Sequence, residues 1–472
     1  MDSFMPAIAV VLLIVCVIFK WKYSYWNRKK IEGLPPLPIF GNLFECFFMQ
    51  KHCTDIFDEI YNCSPKAKYI GFYKFHAPGL LLKDLQLIKE VLSGDLCEHY
   101  QDDGCINENI HLMCREKLFV SKLNISEMMR TTIKAYFDES RFKDHFAKLK
   151  NLSTTLIEYI EGAPEWPTEE GFEAKKLSSK FFIEASLSCS LNIEPHCFTK
   201  STSDFLDIYE KYFLGTPFGG LFSLLSTRLD RRIEKTLQSN SSLTDGPEDT
   251  FSAIFGAHNK HNLVQCLLGL YDVFESSNTL FAYGLYELAL NGDMQEEIRN
   301  HIKQIELTSD KELAVEDITK GLPFLNNILL ETLRLHSHIF ALKKKCVKRH
   351  ELPKQHTDSE VAYIEKGCNV LIPAYSIHLD PVYFSDPFTF KPNRYLDNPD
   401  ALRPYPCFGK NSEYCLGFKY GFLVVKLAIA LILKKYQVVL TSKNTGVLTF
   451  SKKTPYLSSE EGIWLSFSKL SK

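Results

Sequence analysis

Residues 404–433 read PYPCFGKNSEYCLGFKYGFLVVKLAIALIL. A loop holding Phe408, Gly409 and Cys415 runs directly into a long apolar helix that begins near Leu416. A cysteine at a helix start feels the positive end of the helix dipole, which favours its thiolate. A thiolate is the form that binds a metal, and a phenylalanine beside the sulfur would keep water away and tune the ion. Taken alone, the pattern also fits a buried structural cysteine, because cysteine is among the most buried residue types.

Two upstream segments bear on that choice. Residues 323–336, PFLNNILLETLRLH, form a helix that opens with proline at a permitted first-turn position. Glu331 and Arg334 stand at i and i+3, so they face the same side and pair locally. Downstream, 390–395 read FKPNRY, where Arg394 offers a second guanidinium to complete a buried Glu–Arg–Arg network ahead of Cys415. Each segment alone is common. Their order, ETLR then FKPNRY then the Phe–Gly loop and cysteine, is specific.

A third segment, 262–290, is a helix apolar on most faces and therefore belongs in the middle of a large body. Glu275, Ser276, Ser277, Asn278 and Thr279 interrupt it, and buried polar groups need partners or a function. A polar kink is the plain alternative.

The rest of the chain sets bounds. It has 472 residues, 45% hydrophobic and 24% charged, with a net charge of −2, so no field recruits nucleic acid. Fourteen cysteines are scattered without a CxxC pair, which reads as mostly free thiols. Phe4 to Phe19 is an uncharged apolar run. At about 1.5 Å per residue it spans roughly 24 Å against a hydrocarbon core of about 30 Å. Lys20, Lys22 and the aromatic residues Trp21, Tyr23, Tyr25 and Trp26 complete the span at the interface. Asp2 precedes the run and Arg28, Lys29 and Lys30 follow it, which puts the body in the cytosol and favours a retained anchor over a signal peptide. The expected organisation is a membrane anchor over 1–26, a basic and proline-rich hinge over 27–44, and one domain over 45–472. Residues 67–93 read as two strands and a helix, 106–300 mainly as helices, 238–250 as a surface loop, and 437–472 as strands. The fold class is mainly α with a small β portion.

At ETLR, FKPNRY and the cysteine loop the chain resembles the cytochrome P450 superfamily, which carries E-x-x-R, a P-E-R-F-like segment and F-x-x-G-x-R-x-C-x-G in that order. The resemblance implies a single mainly helical fold with a small sheet region and a haem b. It implies that Cys415 is the axial iron ligand, with Phe408 and Gly409 in the haem-binding loop and Lys343 in place of a propionate-binding arginine. It implies a monooxygenase of the endoplasmic reticulum membrane that takes O2, an apolar substrate and NADPH electrons from a separate cytochrome P450 reductase. In that frame Ser277 takes the usual acid slot and Asn278 the alcohol slot of the long helix, followed by Thr279, for oxygen activation. An asparagine there is similar to the sterol and oxysterol 7α-hydroxylases, sterol 12α-hydroxylase and prostacyclin synthase, so a sterol substrate is expected. Phe274 and Glu275 fill slots that are small in that group, and a phenylalanine there would narrow the pocket. Two departures stand in the cysteine loop: Asn411 replaces a glycine and Glu413 an arginine that lies near a haem propionate and the reductase-facing surface. No W-x-x-x-R pair is seen in 105–130. The alternatives are an endoperoxide isomerase that needs no reductase and a non-catalytic haem-binding protein.

Overall fold

A computed structural model describes residues 4–102, 139–162, 171–190, 193–199, 205–206, 260–309, 312–338, 340–357, 359–397, 418–444, 448–452 and 457–470. Phe408, Gly409, Asn411, Glu413 and Cys415 lie outside the described residues, as does the loop expected at 238–250. The longer helices are α1 (Phe4–Tyr23), α2 (Cys53–Asn62), α3 (Leu85–Ser93), α4 (Glu139–Glu161), α5 (Ala174–Ser190), α6 (Lys260–Leu290), α7 (Gly292–Ser309), α8 (Pro323–Leu335) and α9 (Phe418–Lys435). The strands are β1 (Tyr69–Lys74), β2 (Ala77–Leu82), β3 (Tyr100–Asp102), β4 (Phe172–Glu173), β5 (Leu342–Cys346), β6 (His350–Leu352), β7 (Ala362–Ile364), β8 (Asn369–Ile372), β9 (Tyr436–Leu440) and β10 (Trp464–Lys469). The architecture is mainly helical with small sheets, as expected.

Contacts divide the chain into two compact units, Met1–Cys105 with Phe340–Asp380, and Ile106–Ile339 with Pro381–Lys472. The first holds a five-stranded sheet in the order β1-β2-β8-β5-β3, in which β2 and β8 run parallel and the other pairs antiparallel. The β1–β2 hairpin and α3 match the sequence reading of 67–93, and Asp84 caps α3 by accepting a hydrogen bond from Leu87 N–H at 2.8 Å.

The stretch expected to be a hinge is docked on this sheet. Trp26 is buried, and its indole N–H donates to Phe72 O at 2.9 Å. Gly71 makes room for it, since a Cβ there would stand 2.4 Å from the Trp26 ring. Gly33 lies across Gly71 in a parallel bridge, where a Cβ would meet Gly71 O at 2.1 Å. Lys29 pairs with Glu365 at 2.9 Å and Lys30 with Glu360. Lys29 and Lys30 of the basic hinge are thus neutralised against the sheet unit. Among the described residues no helix is long and apolar enough to cross a membrane. Cys46 and Cys53 form a disulfide, and seven other described cysteines are free, so the expectation of mostly free thiols holds among the described residues with this exception.

In the second unit α6 packs on α5, α8 and α9, and α9 packs on α4. Phe181 and Phe182 of α5 meet Phe281 with ring centroids at 6.4 and 5.8 Å. Antiparallel strands in the order β4-β10-β9 make a small second sheet. The tail expected to be strands holds two of them, β9 and β10.

The apolar run of α9 carries one cation, Lys426, at 1% exposure. Burial pushes its ammonium down from 10.5 to about 8. Below about pH 8 it is charged in both folded and unfolded chains, and the cost of burying the charge is present in full. Between there and 10.5 the folded chain has lost a proton that the unfolded chain keeps, so stability rises with pH through that window. Lys426→Met is therefore expected to stabilise the protein at pH 7 by about 3 kcal/mol. Urea unfolding should show the gain shrinking by about pH 9.5; a gain that does not change with pH would contradict this.

Candidate functional site

Helix α8 begins at Pro323, whose missing N–H is harmless in a first turn. Its buried face delivers Glu331 and Arg334 three residues apart, both wholly buried. Arg334 grips the carboxylate with two parallel bonds, Nε to Oε2 at 2.9 Å and Nη2 to Oε1 at 2.7 Å. Arg394 donates from Nε to Oε1 at 3.0 Å, and Lys391 N–H donates to the same oxygen at 2.9 Å. The carboxylate thus accepts four bonds, about its full capacity. The spare guanidinium donors go to backbone carbonyls. Arg334 reaches Pro387 O at 2.6 Å and Thr389 O at 3.3 Å, and Arg394 reaches Ser385 O at 3.0 Å and Thr389 O at 3.3 Å. The Arg334 guanidinium also stands 5.2 Å from the centre of the Phe384 ring. Residues 384–394 are thereby fastened to α8. That is the network the ETLR and FKPNRY strings implied.

On α6 the three predicted polar residues do not converge. Ser277 faces α9, because a Cβ at Gly421 would meet its Oγ at 2.6 Å. Asn278 faces α5. Its Nδ2 donates to Ser179 Oγ at 3.0 Å, and Ser178 Oγ donates to its Oδ1. Thr279 Oγ1 donates back to Glu275 Oε1 at 3.5 Å. A helix turns about 100° per residue, so neighbours at 277 and 278 must serve different partners. Phe274 packs on Phe182, ring centroids 6.4 Å apart, in the α5–α6 interface.

The sequence reading missed the other half of this polar seam. Lys175 pairs with Glu275 Oε1 at 2.6 Å, and both are largely buried. Lys175, Ser178 and Ser179 stand at i, i+3 and i+4 on α5, one polar stripe opposite the ESSNT string of α6. That stripe was the available signal. Nearby His338 is held neutral, pushed down to about 4 by burial. A second polar tie joins α6 to the end of α8: His336 Nε2 lies 2.6 Å from Glu287 Oε1, and its ring stacks on Tyr283 at 4.5 Å. Lys343 lies on β5, half-buried, with Nζ 5.9 Å from the centre of the Phe340 ring.

The donor chemistry fits a haem iron. One thiol, Cys415, stands three residues ahead of Phe418, where the buried helix α9 begins, and Gly421 brings that helix against Ser277 of α6.

Two substitutions separate structural from chemical roles. Glu331→Gln leaves two buried guanidinium groups without their anion, which costs about 3–5 kcal/mol. The purified variant should be haem-poor and unfold at lower urea; full haem content with reduced turnover would overturn that reading. Asn278→Ala strips Ser178 and Ser179 of a buried partner and should cost about 1–3 kcal/mol. Unchanged stability with altered turnover would place Asn278 in the chemistry instead.

Residues 273–463 match the family model described as Cytochrome P450, a span that holds both the Glu331 network and the cysteine loop. The chain is similar to the probable cytochrome P450 308a1 of Drosophila melanogaster, 26% identical over 494 residues that cover 98% of this chain and 99% of that protein. It is 23% identical to the probable cytochrome P450 6a23 of the same species over the whole of both chains. It is 24% identical to cytochrome P450 6k1 of Blattella germanica, covering 98% and 96%. None of the three is named as a sterol hydroxylase or prostacyclin synthase. The likeness to that group rested on Asn278 alone, whose amide is engaged by serines of α5, so it does not define a subgroup. The Glu331–Arg334–Arg394 network and a similarity that runs from end to end make the chain similar to the cytochrome P450 monooxygenases.

Proposed function

We propose that Cys415 is the axial thiolate ligand of a haem b, and that the protein inserts one oxygen atom of O2 into an apolar substrate. The electrons come from NADPH through a separate cytochrome P450 reductase. The observation that carries this reading is the fully satisfied Glu331 carboxylate. It ties residues 384–394 to α8, and Cys415 follows that segment in the sequence. A haem held by a thiolate supplies the oxygen chemistry, because the electron-rich sulfur favours O–O cleavage.

The chain's own residues divide the work. Phe408 and Gly409, ahead of Cys415 in the sequence, are the residues that would hold the haem beside the thiolate, the phenylalanine by keeping water from the sulfur. Ser277 lies where α6 meets α9, the helix that Cys415 precedes, which supports a role for its hydroxyl in holding a proton or water. Asn278 and Glu275 instead join α6 to α5, and with Lys175 they set the position of α6.

The same reading includes an anchor over residues 1–26 in the endoplasmic reticulum membrane, with the domain over 45–472 on the cytosolic side. It is supported by the uncharged run Phe4 to Phe19 and by exposed apolar side chains on α1, among them Leu13, Val17 and Trp21. The charge order, Asp2 before and Arg28 after, supports the orientation.

Cys415→Ser should abolish the red-shifted Soret band of the ferrous carbonyl complex, and a variant that keeps the band refutes the ligand assignment. In the wild type, product formation should require both NADPH and the reductase; turnover of an endoperoxide without either would replace the monooxygenase with an isomerase.

A further inference from the structure

Three helices of the second unit share a polar point that neither the Glu331 network nor the α5–α6 seam uses. Tyr420, the third residue of α9, is buried, and its hydroxyl lies 2.9 Å from His145 Nδ1 of α4. The two rings stand edge to face, with centroids 5.9 Å apart. Cys189 of α5, also buried, is hydrogen-bonded to the same phenol. Phe142 of α4, wholly buried, packs edge-on against the phenol ring at 6.3 Å.

The chemistry of the three groups gives the chain of hydrogen bonds a direction. Burial pushes the Cys189 thiol up to about 11, so it keeps its proton at neutral pH and donates to the phenol oxygen. The phenol's own hydrogen is then directed to His145. Burial holds His145 below the ordinary imidazole range; Arg141 and Lys148 act in the same sense, and Asp144 against it. At pH 7 its imidazole is neutral, and with the hydrogen on Nε2 the Nδ1 atom accepts from the phenol. The His145 side chain is only half-buried, so a proton arriving there has a way to water.

As a plain tie between helices, a buried phenol needs an acceptor, and a backbone carbonyl serves. Tyr420 has a base in line with its O–H bond, and a base has a further consequence. Taking one electron from a phenol makes its proton strongly acidic, so the electron leaves readily only where the proton can leave with it. The place in the chain adds a second reason. Tyr420 follows Cys415 by five residues, which limits the separation of their Cα atoms to about 18 Å.

We propose that Tyr420 is a one-electron donor to the haem, its phenolic proton passing to His145, so that oxidising equivalents not delivered to substrate leave as a tyrosyl radical. The inference rests on the haem assigned to Cys415 above. One electron passes from the phenol ring to a haem that a peroxide has oxidised. The O–H bond of Tyr420 breaks, an N–H bond forms at His145 Nδ1, and a neutral phenoxyl radical remains. A one-electron reductant of the ascorbate class then returns an electron while His145 returns the proton. Tyr420 is the donor; His145 and Cys189 are positioning residues, one holding the proton and the other aiming the phenol.

The test mixes the purified full-length haem protein with an organic hydroperoxide in the absence of substrate, freezes it rapidly and records electron paramagnetic resonance spectra. The parent should give a tyrosyl radical, whose hyperfine pattern collapses when the protein is made with ring-deuterated tyrosine. Tyr420→Phe should lose that signal while keeping the ferrous carbonyl band. His145→Phe should give less radical, and what remains should lack the coupling to an exchangeable deuteron that the parent shows in heavy water. A parent without the ferrous carbonyl band would remove the haem reading and this donor with it. With the band present, a parent free of tyrosyl signal, or an undiminished signal in Tyr420→Phe, would overturn the donor alone. Should Tyr420→Phe fail to hold haem, His145→Phe decides: a radical with the parent's yield and deuteron coupling would reduce the pair to a tie between α4 and α9.

Discussion

One buried carboxylate organises the second unit. Glu331 has no contact with water, and a lone anion there would be untenable. It is tolerable because four donors converge on it, and two of the donor groups carry charge. The network holds two cations and one anion, so the remaining positive charge must be spread over backbone carbonyls. Ser385, Pro387 and Thr389 provide them. An irregular segment with no ladder of its own is thereby held as firmly as a strand. The energy of this arrangement resides in completeness: each partner is affordable only while the others are present.

The second polar system is of a different kind. Lys175, Ser178 and Ser179 meet Glu275 and Asn278 between two helices that also meet through aromatic rings. Phe182, Phe274 and Phe281 pack there, and apolar contacts alone permit slippage along a helix axis. The amide and hydroxyl pairs set the register, since a shift of one residue would strand each of them without a partner. Ser277, one residue away, is turned to α9 instead. The polar interruption of α6 therefore serves two neighbours, α5 and α9.

Much of this was legible beforehand, for identifiable reasons. The ETLR and FKPNRY strings carried the Glu331 network because i,i+3 spacing on a helix and a guanidinium at a fixed distance are local facts. The strands and helix of 67–93 followed from short β-like runs and a helical pattern, and the start of α8 from Pro323. Less legible was the partner of Asn278. Its slot in a motif suggested a role facing oxygen, but helix rotation and a serine pair 100 residues earlier decide where its amide points. The docking of 23–42 was equally hidden. Prolines and basic residues suggested a stiff hinge apart from the body, whereas the absence of side chains at Gly33 and Gly71 is what lets the strap lie on β1. The disulfide between Cys46 and Cys53 depends on folding that spacing alone does not reveal.

Glu331 and Arg394 act as one unit across 63 residues of sequence. A double-mutant cycle with Glu331→Gln and Arg394→Gln, read by urea unfolding at low and high salt, measures that directly. The account predicts a coupling energy of about 1–3 kcal/mol, little changed by salt because the pair is buried. Additive effects of the two substitutions, or a coupling that vanishes in salt, would contradict it.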